Sequence, residues 1–400
     1  MSSILYPVTL GALALARIAV GAPAETAATT KRCVQLEVPV PIVATNHHYI
    51  MPRVDNNIDA VNWAINVTTW STPVAAERVT GPVLVDSTFN INAQLCVPSR
   101  KGTKAEILQI ATHGLGFDKR YWDVEIRPDE YSYLDAAIRK GYSILTYDRI
   151  GTGRSEKPDA YDIAQIPAEV EVLAGLTQLA RNGKLITSSR VLSATTNKTT
   201  IRDFQPSKVV HVGHSYGSFV TSGMLAQYGN LSDGALLTGF LFNSKLGSID
   251  VAHFDHEFAQ EHDPTRFDEY PSGYIVLTTE SDIQKLFFRK GGFEPKLLTY
   301  TERIKQPEAV GEYASQGTAM SSPAFEFRGP IQFFVGEFDY PGCGGNCTNT
   351  YEEELTQRLY PAASDISVYL QPNTGHALTL ATNASAGYEV MFQYLDSQGL

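Results

Sequence analysis

A serine between two glycines is the strongest chemical signal in this sequence of 400 residues. The pentapeptide G-H-S-Y-G occupies residues 213–217 and directly follows an apolar run at 209–212. Where a strand passes into a helix, such a turn is so tight that glycines are needed to avoid clashes, and the serine hydroxyl is held out over the sheet edge. The pattern therefore predicts that Ser215 is a nucleophile.

A serine hydroxyl is a weak nucleophile, so it needs an imidazole to take its proton and a carboxylate to orient that imidazole. The downstream sequence offers both, because Asp339 and His376 each directly follow a predicted strand. The chain order Ser215, Asp339, His376 is the one expected when three strand ends carry these groups. Glu337 and Asp250 remain alternatives for the acid.

Negative charge develops on the substrate oxygen during acyl transfer, and hydrogen-bond donors must already point at it. The N–H of Tyr216, at the start of the predicted helix, is one candidate donor. The N–H of Leu115 is the other, in the stretch H-G-L-G-F at 113–117, where glycines allow the backbone to approach a substrate. A plain turn is the alternative interpretation of this stretch. This chemistry needs no metal or organic cofactor.

A histidine cluster further along the chain could in principle bind a metal. His253, His256 and His262 lie close to Glu257, but Gln260 stands where a zinc-binding helix of this type needs its second histidine. We therefore expect a solvated surface there rather than a metal site.

The elements that position these groups alternate along the chain from about residue 81. Apolar, strand-like runs alternate with amphipathic, helix-like runs, which predicts a largely parallel α/β sheet flanked by helices. The alternation breaks over 246–326, and about 80 residues are too many for a plain loop, so we expect an inserted helical cap. The predicted strands are 83–97, 106–112, 142–148, 208–213, 235–242, 331–335 and 366–370, and the predicted helices are 133–140, 163–181, 219–228, 352–359 and 387–395.

Five stretches in this order resemble the α/β-hydrolase superfamily. They are H-G at 113–114, D-R-I-G-T-G-R-S at 148–155, the serine pentapeptide, G-E-F-D at 336–339 and G-H at 375–376. The resemblance covers residues 81–400 and implies an α/β-hydrolase domain with a cap, similar to secreted esterases and lipases. It also implies that the stretch at 148–155 is a supporting loop. Ser215 in place of an aspartate argues against the epoxide-hydrolase and haloalkane-dehalogenase branches.

The expected activity is hydrolysis of an ester-like bond, in a carboxylic ester, lactone or thioester, through an acyl-enzyme. Aromatic residues in 246–326 suggest a small apolar or aromatic substrate, and the alternative is that they form the small core of the cap itself. A proline-type aminopeptidase is an alternative, in which Glu257, Glu261 and Asp263 would bind the substrate amine. A hydrolase of secondary metabolism and a catalytically silent binding protein on the same scaffold also remain open.

Two features indicate the secretory pathway. Residues 1–24 form an apolar stretch that ends in A-P-A, as a signal peptide does. Glycosylation sequons occur at Asn66, Asn197, Asn230, Asn346 and Asn383. We therefore expect a secreted glycoprotein, followed from residue 25 to 80 by an extension whose role the sequence does not indicate.

The four cysteines Cys33, Cys96, Cys343 and Cys347 form an even set, which allows three pairings in an oxidising compartment. We expect disulfides Cys33–Cys96 and Cys343–Cys347, worth about 4 and about 2 kcal/mol by loop closure. Zinc would need four ligands, and no second pair of ligands has a fitting spacing.

Composition excludes several other classes of protein. Hydrophobic residues make up 43% of the chain and charged residues 19%, which suits a folded core. The net charge is −11 and no run of lysine and arginine occurs, which argues against nucleic-acid partners. An uninterrupted apolar run of about 20 residues is also absent from the sequence, so we expect no stable membrane anchor.

Overall fold

The computed structural model describes residues 31–100, 102–194, 201–243, 253–320 and 322–400. The expected signal peptide at 1–24, the sequon at Asn197 and the alternative acid Asp250 lie outside these ranges.

A nine-stranded sheet forms the centre of the described chain. The described residues form twelve strands, of which all but β8, β9 and β10 belong to this sheet: β1 (Lys31–Tyr49), β2 (Val79–Pro98), β3 (Ile107–Thr112), β4 (Ser143–Tyr147), β5 (Arg190–Ala194), β6 (Lys208–His214), β7 (Gly234–Thr238), β8 (His256–Phe258), β9 (Tyr274–Leu277), β10 (Glu308–Ala309), β11 (Pro330–Gly336) and β12 (Asp365–Gln371). The order in the large sheet is β12-β11-β7-β6-β3-β4-β2-β1-β5. Strands β12 to β4 in this order pair in parallel, and β2, β1 and β5 add antiparallel pairs. The expected largely parallel sheet is confirmed.

Helices cover both faces of this sheet. Those described are α1 (Asn57–Thr68), α2 (Pro128–Tyr131), α3 (Tyr133–Arg139), α4 (Ile166–Arg181), α5 (Tyr216–Tyr228), α6 (Ala259–His262), α7 (Glu280–Phe287), α8 (Pro295–Ile304), α9 (Val310–Ser315), α10 (Tyr340–Cys343), α11 (Glu353–Leu359) and α12 (Ala384–Ser397). Helices α4 and α5 pack on one face, and α3 and α12 pack on the other. Among the described residues, no helix is both long and apolar enough to cross a membrane.

One predicted strand ends four residues earlier in the structure than the sequence suggested. The apolar run at 235–242 predicted a single strand, but β7 ends at Thr238 because the chain turns at Gly239, whose φ is +57°. Beyond this turn Phe240 and Phe242 line a cavity instead of continuing the sheet.

The described part of the expected extension, residues 31–80, supplies strand β1, so the expected domain boundary at residue 81 falls inside the sheet. Strand β1 pairs with β2 from Lys31 opposite Pro98 to Tyr49 opposite Val79. Buried and more exposed positions alternate along β1, because one face of this strand packs on the core. The buried side chains include Val34, Leu36, Val38, Val40 and Ile42. The segment is therefore part of the fold rather than an appendage.

The insertion between β7 and β11 contains strands as well as the expected helices. Strands β8, β9 and β10 form an antiparallel sheet in the order β10-β9-β8. Helix α1 packs against this insertion, with the rings of Trp63 and Tyr313 5.5 Å apart. The Asn57 N–H donates to Glu261 Oε2 at 2.8 Å, and Asn57 Oδ1 accepts from the Phe258 N–H at 2.9 Å. The N-terminal segment thus also holds the insertion in place.

Both disulfides have the expected pairing. Cys33 and Cys96 are register partners in β1 and β2, and Cys343 and Cys347 close a short loop just after Asp339.

The sequons in the described ranges differ in their surroundings. Asn230 and Asn346 are exposed, and Asn66 is half-buried. The side-chain amide of Asn383 donates to Pro372 O at 2.7 Å, so a glycan at Asn383 would be attached to the nitrogen that makes this hydrogen bond.

Candidate active site

Ser215 lies in a strained turn between β6 and α5, as predicted. Its φ of 53° and ψ of −122° are unusual for a residue other than glycine, and such strain typically marks a functional site. A Cβ at Gly217 would lie 2.2 Å from Thr112 O, and one at Gly213 would lie 2.6 Å from Ser218 Cα. Only glycine therefore allows the helix to start so close to the strand.

Asp339 and His376 form a buried pair below the same cavity that Ser215 lines. His376 Nδ1 lies 2.7 Å from Asp339 Oδ2, and the two residues are 3% and 0% exposed. Asp339 Oδ1 accepts from the Gly342 N–H at 2.7 Å. An ionised carboxylate can only accept, so Nδ1 carries the proton of the neutral imidazole and Nε2 is left as its basic nitrogen.

The alternative acid Glu337 does not contact the imidazole. Its Oε2 instead accepts from the N–H of Asn373 at 2.9 Å. The loops after β11 and β12 run in contact, since a Cβ at Gly336 would lie 2.1 Å from Gly375 O. This close approach brings Asp339, and not Glu337, to His376.

The expected oxyanion donors border the nucleophile. A Cβ at Gly114 would lie 2.9 Å from Ser215 Cβ, so the loop after β3 passes directly over the serine. Leu115 and Tyr216 both line the cavity. Tyr216 is the first residue of α5, where a backbone N–H has no partner within the helix.

His113 holds the loop after β3 in this position. Its Nε2 accepts from the N–H of Arg149 at 3.1 Å, so its Nδ1 is protonated and donates to Gly114 O at 2.9 Å. Burial, reinforced by the positive charge of Arg149, lowers the pKa of His113 to about 3. The imidazole is therefore neutral at physiological pH, and this pair of hydrogen bonds is fixed.

The D-R-I-G-T-G-R-S stretch supports the site from beneath. The buried Arg149 guanidinium pairs with Glu169 of α4 at 2.7 Å and with Glu312 of α9. The same guanidinium lies 4.5 Å from the ring centre of Tyr216, whose hydroxyl donates to Glu169 Oε1 at 3.1 Å. Arg149 thereby fixes the residue after Ser215 and ties the insertion to the core.

The cavity above Ser215 has a volume of about 560 Å³ and two kinds of wall. Its apolar lining includes Phe219, Phe240, Phe242, Leu286, Leu355 and Leu359. Phe287, at the end of α7, also lines the cavity and stacks on the imidazole of His376 with ring centres 6.2 Å apart. The polar lining from the insertion includes His256, Glu308 and Tyr313.

The buried position of His256 is a correction to the sequence analysis, which expected a solvated surface. His256 is 6% exposed because β8 packs it between the insertion and the cavity, and its Nδ1 lies 3.0 Å from Phe254 O. His262, by contrast, pairs with Glu257 at 2.7 Å, away from the cavity. Within the described ranges, no cluster of three or more histidine, cysteine or acidic side chains could hold a metal ion.

The acidic residues expected to bind a substrate amine do not line the cavity. These are Glu257, Glu261 and Asp263. Among the described residues, the carboxyl group that does line it is Glu308, which is 1% exposed. Sequence reasoning missed Glu308 because the surrounding I-K-Q-P-E-A-V stretch matches no motif.

A mostly parallel sheet with a strained serine turn between a strand and a helix is the architecture of the α/β hydrolases. The chain matches the model of the Alpha/beta hydrolase family over residues 110–386. It therefore belongs to this family, and the membership supports hydrolase activity.

Several solved structures are similar to this chain. A bromoperoxidase from Bacillus anthracis is 19% identical, covering 78% of this chain and 96% of that one with a TM-score of 0.47. A malate-bound thermophilic esterase from Thermogutta terrifontis is 14% identical, covering 86% and 98% with a TM-score of 0.45. An enol-lactonase from Burkholderia xenovorans is 15% identical, covering 77% and 97% with a TM-score of 0.46. No curated protein matches the chain. Similarities at this level say nothing about its substrate.

Proposed function

We propose that the chain is a secreted serine hydrolase that cleaves a carboxylic ester, or a related lactone or thioester, through an acyl-enzyme. The observation that carries this proposal is the 2.7 Å contact between His376 Nδ1 and Asp339 Oδ2, beside a cavity that His376 shares with Ser215. Such a contact holds the imidazole in the tautomer that can take a proton from serine.

Each group has one role in the proposed reaction. Ser215 Oγ attacks the ester carbonyl while its proton moves to His376 Nε2. The N–H groups of Leu115 and Tyr216 bind the oxyanion, and Asp339 stabilises the imidazolium. His376 then gives its proton to the departing alcohol, and the acyl group stays on Ser215. Water activated by His376 releases the acid and restores the serine.

The aromatic and aliphatic lining of the cavity favours a small apolar or aromatic ester as substrate. Secretion is supported by the two disulfides, because such bonds persist in oxidising compartments.

Labelling with a fluorophosphonate probe tests the serine mechanism. We expect a stoichiometric adduct on Ser215, located by mass spectrometry, and none in a Ser215→Ala variant. A folded chain that remains unlabelled would instead favour a catalytically silent binding protein.

The bond that is cleaved can be tested with p-nitrophenyl acyl esters of several chain lengths beside aminoacyl anilides. We expect faster cleavage of the esters, with a preference for chains long enough to reach the apolar wall of the cavity. Faster cleavage of the anilides would overturn the esterase assignment in favour of an aminopeptidase.

A further inference from the structure

A second set of polar side chains lines the cavity of Ser215 and plays no part in the proposed reaction. Glu308 in β10, Tyr313 in α9 and His256 in β8 all come from the insertion. The Tyr313 hydroxyl forms a short hydrogen bond with Glu308 Oε2 and lies 3.4 Å from His256 Nε2. These three side chains form one connected group.

The protons in this group can be placed from the geometry. His256 Nδ1 faces the carbonyl of Phe254 at 3.0 Å and must donate to it, so Nε2 is an acceptor. If Glu308 is protonated on Oε2, this group can donate to the Tyr313 oxygen, and the Tyr313 hydrogen is then free for His256 Nε2. This order gives each of the three groups a partner, and it requires Glu308 to be neutral.

Burial supports the same protonation state. Glu308 is 1% exposed, and burial raises its pKa to about 8, although its hydrogen bond with Tyr313 acts in the opposite direction. The charge of Glu312 raises the pKa of Glu308 further, whereas that of Arg149 lowers it. The carboxyl group of Glu308 is therefore protonated near neutral pH.

The other oxygen of Glu308 lacks a hydrogen-bond partner among the described residues. This oxygen, Oε1, is buried and would lie 3.1 Å from a Cβ at Gly116, next to the proposed oxyanion donor Leu115. With the proton on Oε2, Oε1 is a carbonyl-type acceptor. Leaving such an acceptor buried without a donor costs free energy, which a bound donor would recover.

We propose that Glu308 Oε1 accepts a hydrogen bond from a hydroxyl group of the substrate, so that the enzyme selects hydroxylated esters over unsubstituted ones. This inference rests on the proposed esterase function and deepens it. A neutral acceptor matches a neutral hydroxyl donor, whereas a substrate ammonium group would call for an ionised carboxylate.

The test compares ethyl hexanoate with counterparts that carry one hydroxyl group at the second, third or last carbon of the acyl chain. A further set carries an amino group at the same positions. The ratio of kcat/KM for each substituted ester to that for ethyl hexanoate is measured by acid release near neutral pH. We expect at least one hydroxy ester to be preferred by about 3- to 10-fold, the range of one neutral hydrogen bond.

Two substitutions separate the neutral from the charged interaction. Glu308→Gln keeps a carbonyl acceptor and an N–H donor for Tyr313, so it should retain the hydroxyl preference. Glu308→Met removes the acceptor and should abolish the preference. Glu261→Gln, an exposed carboxyl of the same insertion, serves as the matched control and should behave as the wild type.

The outcomes are distinct. The inference is overturned if no hydroxy ester is preferred, if Glu308→Met keeps the preference, or if an amino ester is preferred and loses its advantage in Glu308→Gln. Turnover of ethyl hexanoate without any hydroxyl preference would sink this inference alone. Absence of both turnover and Ser215 labelling would sink the proposed function with it.

Discussion

Two buried histidine–carboxyl pairs border one cavity, and their geometries differ. His376 and Asp339 are in direct contact at 2.7 Å, whereas His256 Nε2 and Glu308 Oε2 are 3.8 Å apart with the Tyr313 hydroxyl near both. The first pair follows β12 and β11, which are adjacent strands, while the second lies in β8 and β10, which β9 separates. Adjacent strands are about 4.8 Å apart, so neighbouring ends can touch, but strands two apart need a bridging side chain.

This difference in spacing decides what each histidine can do. In the proposed reaction, Asp339 stabilises a positive charge on His376, so that this imidazole can accept and return a proton. His256 faces a backbone carbonyl and a tyrosine, and burial lowers its pKa to about 4. His256 therefore stays neutral, and we assign it to the proposed binding wall rather than to the proton transfer.

The largest expected effect separates the two histidines directly. His376→Ala should lower kcat for a p-nitrophenyl ester by about 10⁴- to 10⁶-fold, because the serine loses its base. His256→Ala should lower it by less than about 100-fold, since only substrate positioning changes. Steady-state kinetics of both variants, with circular dichroism to confirm folding, provide the measurement. Losses of similar size would show that the two pairs are not functionally distinct.

The next effect concerns the two acids of the loop after β11. Asp339→Asn should lower kcat by about 10²- to 10⁴-fold, because the amide can hold His376 in the wrong tautomer. Glu337→Gln keeps an acceptor for the Asn373 N–H and should change kcat by less than about 3-fold. Equal kinetics for Asp339→Asn and the wild type would contradict the assignment of the acid.

The pair His376–Asp339, here called the core pair, could be predicted from the sequence because each residue is marked by a local sequence pattern. Each group directly follows an apolar run that is long enough to predict a strand, and the ends of parallel strands meet at one edge of the sheet. The glycines on both sides of Ser215 added a turn that few sequences can form. Chain order then suggested the proposed roles of Asp339 and His376.

The pair His256–Glu308, here called the insertion pair, is not marked by a comparable sequence pattern. Strands β8, β9 and β10 are two to four residues long, and β9 is buried at every position, so no alternation is visible. Glu308 and His256 are brought together by pairing across the insertion, which a local pattern does not encode. Strand β1 is different, because its sequence does carry a local signal, which sequence reasoning missed. Val34, Leu36, Val38 and Val40 alternate with less buried residues, as in a half-buried strand.

A smaller effect tests the protonation of Glu308 through stability. The pKa of Glu308 is raised from 4.5 to about 8 in the fold, so between these values the unfolded chain releases a proton that the folded chain keeps. The free energy of unfolding then falls as pH rises, by up to ~1.4 kcal/mol per pH unit from this group. Glu308→Gln removes this pH dependence. As the pH rises from about 5 to about 8, the free energy of unfolding of the variant should therefore increase relative to that of the wild type by roughly 2 kcal/mol or more.

Urea unfolding of both proteins across this pH range measures the difference. Taking the difference cancels the opposite trend from the buried, neutral His256, whose lowered pKa costs stability as pH falls below its unfolded value of about 6.5. A difference that does not vary with pH would mean that Glu308 is ionised in the folded protein. That result would also contradict the proposed selection of hydroxyl groups.

The smallest expected effect concerns the Tyr313 hydroxyl that bridges the insertion pair. Tyr313→Phe keeps the ring contact with Trp63 but leaves the Glu308 hydroxyl and His256 Nε2 unsatisfied, which should cost about 1–2 kcal/mol in urea unfolding near pH 5. It should also weaken the hydroxy-ester preference, because Glu308 is no longer held in place. Tyr228→Phe removes a comparable hydrogen bond to a carboxyl group outside the cavity and should leave the preference intact. If both variants kept the preference, Glu308 would not depend on the bridge, and the spacing of the two pairs would not explain their different roles.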